Sequence, residues 1–455
     1  MLSHIKSIFT DKEITIKGFQ SLILKISGSL LGYILLWLVG NSFDDPTRVW
    51  GEYTLFLGVL NISSIFSRLG IDKLALKLVA AADKDLKTIR SVYLSSCKLI
   101  LGISLIASTI IYSISSYIIY YLIPKSTMGI EIINMIVFIL PLFSIICLNE
   151  NTLRGLKMIK EFAFFQRTSK MLFSVLLFLL LFYGFNLLET IVVIYAYSLA
   201  LLLIFILSTL RVYRVLQKNK EKIHFIKNRE IFNQSLPMMV SSSVLLLMSW
   251  TDSLMIGALS EGDYKETAVG IYNAAVKVAL SATLIMSAVN SIVAPKISES
   301  YNNNRIKEFK LTIFNSTKLI FYTTLPILLI IFLFPGFILS LFGDQFAVPS
   351  AIAALLILTS SQAVNALSGS VGTILNMTGK QKVYGNILLV ALAINIILNF
   401  ILIDKNNYGL ELGISGIEGA AVASATSLIF WNIYSVIYIY KKYNVVTSIK
   451  FKNNK

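Results

Sequence analysis

The chain has 455 residues, of which 56% are hydrophobic and only 14% charged, with a mean hydropathy of +0.75. No soluble core can hide that much apolar surface, so a water-soluble globular fold is excluded and lipid must solvate the excess. The net charge of +16 invites a nucleic-acid reading, but the placement of the bases gives it a simpler origin in membrane orientation.

The first residues, MLSHIKSIFTDKEITIKG, lack the short apolar core and small-residue cleavage site of a signal peptide, so the first span is expected to be retained. From there the sequence predicts an all-α membrane protein of about twelve spans, each near the roughly 20 apolar residues that cross about 30 Å of hydrocarbon. In chain order they run over about 19–40, 52–79, 91–121, 130–152, 162–183 and 188–210. After a basic amphipathic segment, RVYRVLQKNKEKIHFIKNRE, expected on the inner membrane face, they resume over about 235–258, 269–294, 315–340, 350–374, 384–403 and 419–440. This divides the chain into a six-helix lobe (1–215), a linker (216–231) and a second six-helix lobe (232–455).

The connections alternate in charge. Those assigned to one side hold 27 Lys and Arg, whereas the other side holds four, Arg48, Lys125, Lys265 and Lys405. The positive-inside bias then places both termini in the cytoplasm, consistent with an even number of spans. Nucleic acid is not needed as a partner. Cys97 and Cys147 fall inside spans near the cytoplasmic side and read as free thiols.

The two lobes share an internal repeat at an offset of about 220 residues. Gly51-Glu52-Tyr53 recurs as Gly270-Ile271-Tyr272, SSCKLIL (95–101) as NSTKLIF (315–321), and RGLKMIK (154–160) as TGKQKVY (378–384). With six spans per lobe the repeat is parallel, about an axis along the membrane normal, as in transporters that bind between lobes. Pro141, Pro237, Pro295, Pro326 and Pro335 lie in or beside spans, and some should kink them.

Nine bases remain inside spans. Lys73, Lys77, Lys98, Arg167, Lys170 and Lys318 are close enough to a cytoplasmic end to snorkel. Lys25, Arg68 and Lys277 lie deeper, where an unpaired charge costs about 2.5–3.5 kcal/mol on insertion scales, so they should face a cavity or a partner. They are the candidates for a cationic cavity that neutralises a phosphate or an acidic sugar; pairing with acids is the plainer alternative. Asp72 stands four residues after Arg68, a spacing that allows a local ion pair. Asp252, the clearest acid inside a span, is either a coupling site for a proton or sodium ion or the structural partner of Lys277 or another base. Asn61, Asn290, Gln362, Asn365, Asn395 and Asn399 suit a wet path for sugar hydroxyls or hydrogen bonds between helices. No metal-ligand cluster or phosphate-cradling loop stands out, His4 and His224 lie outside the spans, and no cofactor is expected.

Five stretches carry a family resemblance: WGEYTLFLGVLNISSIFSRLGIDKLAL (50–76), SLPMMVSSSVLLLMSWTDSLMIGAL (235–259), VGIYNAAVKVALSATLIMSAVNSIVAPKISE (269–299), LNMTGKQK (375–382) and GISGIEGAAVASATS (413–427). In their order and spacing the chain resembles the Wzx-type oligosaccharide flippases of the multidrug/oligosaccharidyl-lipid/polysaccharide exporter superfamily. The resemblance implies a protein of the bacterial cytoplasmic (inner) membrane that moves an undecaprenyl-pyrophosphate-linked repeat unit of O-antigen or capsule to the outer leaflet by alternating access. It further implies a basic central cavity, for which Lys25, Arg68 and Lys277 are the residues available, membrane lipids as surroundings and the polysaccharide polymerase machinery as a downstream partner. Multidrug exporters of the superfamily need acidic cavities for cationic drugs, opposite in sign to the deep charges here. The alternatives from other classes are a membrane-embedded polysaccharide polymerase or acyltransferase, or a related exporter of another substrate.

Overall fold

A computed structural model describes residues 12–82, 85–122, 129–217, 228–260, 265–403, 413–445 and 447. The stretches around His4, Lys125, His224 and Lys405, and with them most of the expected linker, lie outside the described residues. Helices follow one another through the chain. The first part holds α1 (Lys12–Ser42), α2 (Pro46–Arg68), α3 (Ile71–Ala81), α4 (Leu86–Ser113), α5 (Ser115–Leu122), α6 (Gly129–Gly155), α7 (Ile159–Gly184) and α8 (Val192–Leu216). Next come α9 (Asn228–Leu259), α10 (Lys265–Ala279), α11 (Ser281–Asn302), α12 (Ile306–Leu333) and the short α13 (Pro335–Ser340). The last are α14 (Pro349–Ser368), α15 (Val371–Met377), α16 (Gln381–Ile403) and α17 (Gly416–Tyr443).

Among the described residues ten helices are long and apolar enough to cross a membrane, and two bent pairs, within α9 and across α10–α11, bring the total to twelve. The expected spans are therefore present. Their outer surfaces carry large exposed apolar side chains such as Phe138 (62% exposed) and Leu333 (69%), the lipid-facing surface that composition demanded.

Two interruptions were not marked by proline. The 52–79 span breaks at Leu69 (φ 45°) and Gly70 (φ 75°), both left-handed, a conformation glycine tolerates and leucine adopts only under local constraint. A Cβ on Gly70 would lie 2.4 Å from the carbonyl oxygen of Ser235, so the α9 backbone lies directly against the break. The α10–α11 bend of 42° falls at Leu280, while Pro295, Pro326 and Pro141 sit inside continuous helices. Helix α7 contains two π-helical turns, Phe164–Thr168 and Leu180–Gly184, which no sequence signal announced.

The chain forms two compact units, Met1–Val39 with Leu55–Leu246, and Gly40–Thr54 with Leu247–Lys455. This division differs from the expected lobes, which follow the repeat. In the first unit α6 is central, packing on α3, α4 and α8. In the second, α17 packs on α14 and α16. The small-residue run of α17 explains that closeness: Ala420, Ala421 and Ala423 are fully buried, and a Cβ on Gly419 would lie 2.5 Å from the Leu402 carbonyl oxygen, the close approach that small residues permit between membrane helices. Helix α17 starts in a capping box, with Ser415 Oγ accepting from Glu418 N and Glu418 Oε2 accepting from Ser415 N, which satisfies two end groups at once. Cys97 and Cys147 are free thiols, the second buried.

Candidate functional site

In the first unit, Lys25 stands on α1 opposite the first π-turn of α7. Thr168 Oγ1 donates to the Leu24 carbonyl at 2.6 Å, and Gly28 admits the α7 backbone, since a Cβ there would lie 3.1 Å from Thr168 Cα. A π-turn inserts one extra residue into the helix, and here it sets Arg167 beside α1. The charged groups close enough to act on Lys25 are Arg154, at the end of α6, and Arg167, and both repel it. Among the described residues no acid acts on Lys25. Arg154 also rests over the Phe162 ring at 5.3 Å. Of the expected site residues, Lys25 thus gains two bases that the sequence had assigned elsewhere, Arg154 to a loop and Arg167 to snorkelling.

Arg68 is engaged differently. Its Nη1 donates to Asp72 Oδ2 at 3.0 Å, the pair anticipated from the spacing, and its Nε donates to the Ser64 carbonyl at 2.8 Å. Asp72 also accepts from Asn151 Nδ2 at 2.9 Å and faces Lys73 at 3.5 Å. Arg68, Asp72 and Lys73 border a cavity of about 220 Å³ that Ser243 and Leu246 also line. With its charge met by Asp72, Arg68 is an anchor between α2, α3 and α6, and it shares no partner with Lys25.

Lys170 departs from expectation. It does not snorkel: it is buried, its Nζ is 2.8 Å from Glu150 Oε1 and 5.0 Å from the Phe143 ring centre. Glu150, within LNENTLRG at the end of the expected span 130–152, was not among the charges singled out from the sequence. Asn149, Glu150, Asn151 and Thr152 are all buried. Asn149 accepts from Tyr93 Oη at 2.8 Å and donates to Ser208 and Thr209, each at 3.0 Å. This polar run is the hub of the first unit. A signal was available: four consecutive polar residues with no Gly or Pro before Gly155 are an unusual way to end a helix.

The second unit contains Lys277. Its ammonium lies 4.5 Å from the centre of the Trp50 ring, and Trp50 Nε1 donates to Asn273 Oδ1 at 3.1 Å. Asn273 and Lys277 are one turn apart on α10, so both grip the same indole, with a cation–π contact worth about 0.5–2 kcal/mol. Just beside it the repeated Gly-x-Tyr motif makes a reciprocal crossing. A Cβ on Gly51 would fall 1.7 Å from the Glu266 carbonyl oxygen, and one on Gly270 would fall 1.9 Å from that of Thr47. Each glycine receives the carbonyl of the residue four before the other, so duplication has placed two backbones in mutual contact. That contact explains why 40–54 belongs with the second unit.

Asp252 is held by four donors, Tyr272 Oη, Asn395 Nδ2, Asn399 Nδ2 and Ser424 Oγ, at 2.5–2.8 Å. All four are neutral. The partner expected among the bases is replaced by a cradle drawn from α10, α16 and α17, which also accounts for Asn395 and Asn399. Among the other intramembrane amides, Asn61 bonds back to the Leu57 carbonyl at 2.8 Å and Asn365 to Gln362 at 3.1 Å. Asp252→Leu will leave four buried donors without an acceptor; at about 0.6 kcal/mol for an average intramembrane side-chain bond, the loss is about 2 kcal/mol or more. Asp252→Asn keeps one acceptor oxygen and should lose about half as much. Thermal unfolding in detergent checks this ordering, and equal losses would remove Asp252 as the hub.

Comparison with known proteins adds the following. The family described as Polysaccharide biosynthesis protein matches residues 16–301, and the MatE family matches residues 237–401. A probable low-salt glycan biosynthesis flippase, Agl15, of Haloferax volcanii is 27% identical over 233 residues, 51% of this chain and 45% of that protein, so the chain spans about half the length of this relative. Among solved structures, an inward-facing multidrug resistance MATE family transporter of the MOP superfamily superposes with a TM-score of 0.69 at 14% identity, covering 93% of this chain and 94% of that one. The MATE multidrug transporter DinF-BH gives 0.64 at 16%, covering 97% and 98%. A MOP superfamily transporter from Pyrococcus furiosus, whose binding pocket is described as reversed in polarity, gives 0.64 at 13%, covering 96% of each chain.

Proposed function

This chain belongs to the polysaccharide biosynthesis protein family and has the fold of MOP superfamily transporters, and on that premise we propose that it is a flippase for a lipid-linked oligosaccharide. The substrate we propose is an undecaprenyl-pyrophosphate-linked repeat unit of O-antigen or capsule, moved from the inner to the outer leaflet of the bacterial cytoplasmic membrane by alternating access, with both termini in the cytoplasm. Polymerisation on the far side would follow, by separate machinery.

The observation that carries this reading is the cluster of Lys25, Arg154 and Arg167, three bases with no acid acting on Lys25 among the described residues. Like charges held near one another in a membrane protein are unfavourable until an anion arrives, and a diphosphate at Lys25 would relieve the repulsion from both arginines. Arginine is suited to the task because its planar fork meets a phosphate with two parallel hydrogen bonds. Affinity gained only where the cluster is exposed would bias the protein toward the state that binds substrate. Arg68 and Lys277 then act at one remove, Arg68 by fixing α2 to α3 and Lys277 by gripping Trp50. If a proton or sodium gradient drives the cycle, Asp252 is the acid we assign to it, because a cation there would compete with the four donors that join α10, α16 and α17 to α9.

Reconstitution into liposomes tests the reading. The expected result is a change in leaflet access of intact lipid-linked oligosaccharide; a change in its covalent structure would instead identify a polymerase or transferase. Lys25→Glu combined with Arg167→Gln should reduce transport by at least about tenfold, the value of roughly one lost charge-assisted contact. Lys277→Glu should impair export more than Lys98→Gln, whose side chain is exposed. Wild-type transport in the Lys25/Arg167 variant would overturn the assignment of the cluster.

A further inference from the structure

A second basic feature of the first unit is not used by this function. On the flank of α1, α7 and α8 lies an open groove of about 440 Å³, within the range of about 300–1,000 Å³ typical of ligand sites. Its floor is apolar, formed by Leu24, Phe164, Phe165, Leu207 and Leu210. Leu207 and Leu210 are 42% and 45% exposed, so the floor is open to the surroundings. The π-turn Phe164–Thr168 supplies the two aromatic rings, and such turns recur at functional sites.

One end of the groove is charged. Lys160, Arg211 and Arg214 border it together with Glu161. Glu161 Oε1 accepts from Arg211 Nη2 at 2.8 Å, which fixes that guanidinium at the rim with donors to spare. Arg214 lies one turn further along α8, and among the described residues no acid pairs with it. The rim therefore carries a net positive charge at the end of an apolar channel on a lipid-facing surface. The matching ligand is an amphiphile with an anionic head and a hydrocarbon chain.

We infer that this groove is a binding site for an anionic glycerophospholipid, its phosphate at Lys160, Arg211 and Arg214 and an acyl chain along Leu207, Leu210 and the two phenylalanines. Basic pockets between membrane helices take anionic lipid head groups by the same logic, at about 1 kcal/mol per base. The chain in the groove would tie α1 to α7 and α8, the helices that carry or adjoin Lys25 and Arg167, so the bound lipid would stabilise the first unit without entering the transport path.

The test uses the full chain purified in neutral detergent and titrated with phosphatidylglycerol, phosphatidylcholine or undecaprenyl phosphate, read by thermal unfolding. Phosphatidylglycerol should stabilise the protein at lower concentration than phosphatidylcholine. Arg214→Gln and Lys160→Gln, which leave the Arg211–Glu161 pair intact, should each raise the half-saturating concentration about fivefold. Leu207→Trp, which fills an exposed channel, should weaken the effect, and Lys307→Gln on α12 should not. Equal stabilisation by both phospholipids, or an unchanged response in Arg214→Gln and Leu207→Trp, would overturn the site. Displacement of phosphatidylglycerol by undecaprenyl phosphate at lower concentration would overturn the phospholipid as its occupant and give the groove to the carrier.

Discussion

Gly51→Ala and Gly270→Ala are each expected to destabilise the protein by about 3 kcal/mol or more and to abolish transport. Overpacking a well-fitted interior costs about 1–3 kcal/mol when side chains can shift, but here the added carbon meets backbone. The Cβ positions fall 1.7 and 1.9 Å from carbonyl oxygens, so α2 and α10 must separate along their length. Separation would also pull Trp50 away from Asn273 and Lys277, whose contacts at 3.1 and 4.5 Å depend on the crossing. Gly385→Ala is the control. It has no atom within 4 Å of the added carbon, and in a helix the substitution should be neutral or stabilising by about 0.5–1 kcal/mol. Thermal unfolding in detergent and leaflet-access assays in liposomes read the two effects separately. If Gly51→Ala melted and transported like Gly385→Ala, the reciprocal crossing would have no energetic weight.

This crossing also shows what the sequence could convey. Gly51-Glu52-Tyr53 and Gly270-Ile271-Tyr272 were legible as a repeat, but a repeat signals common descent of two segments and carries no statement that the copies touch. Twelve spans were legible because hydropathy and the side bias of Lys and Arg each act over some 20 residues and average out local exceptions. Individual charges were harder. Arg68 and Asp72 could be paired from spacing because the pair needs only local proximity; it forms across the break, with Arg68 ending α2 and Asp72 opening α3. Lys170 and Glu150 sit on different helices, and pairing between helices leaves no mark in a single sequence. The same holds for Asp252, whose four donors lie 20, 143, 147 and 172 residues away. Lys25 was recognised by its depth, but its companions Arg154 and Arg167 were dispersed among bases that positive-inside bias explains equally well, and the π-turn that brings Arg167 to α1 had no sequence signature.

The second large effect is expected at Glu150 and Lys170. The pair is almost fully buried, with 8% and 11% of the two side chains exposed, at a separation of 2.8 Å. Two charges removed from solvent recover their desolvation cost only from each other, so the pair itself adds little stability, whereas removing one partner strands the other and costs about 3–5 kcal/mol. Glu150→Gln and Lys170→Met should therefore each destabilise the protein by that amount. The double variant Glu150→Gln/Lys170→Met should recover most of the loss, because no uncompensated charge remains and the methionine can still pack on Phe143. Unfolding measurements on all four proteins give the coupling between the two sites, and additive losses would show that the charges do not depend on each other. The double variant separates two roles that the geometry alone leaves joined. Lys170 is only three residues from Arg167 on the same helix, so if the ion pair serves to hold α7 in register and present Arg167 to α1, transport should fall in the double variant even where stability returns, and restoring the pair in reversed order, as Glu150→Lys/Lys170→Glu, should recover part of it.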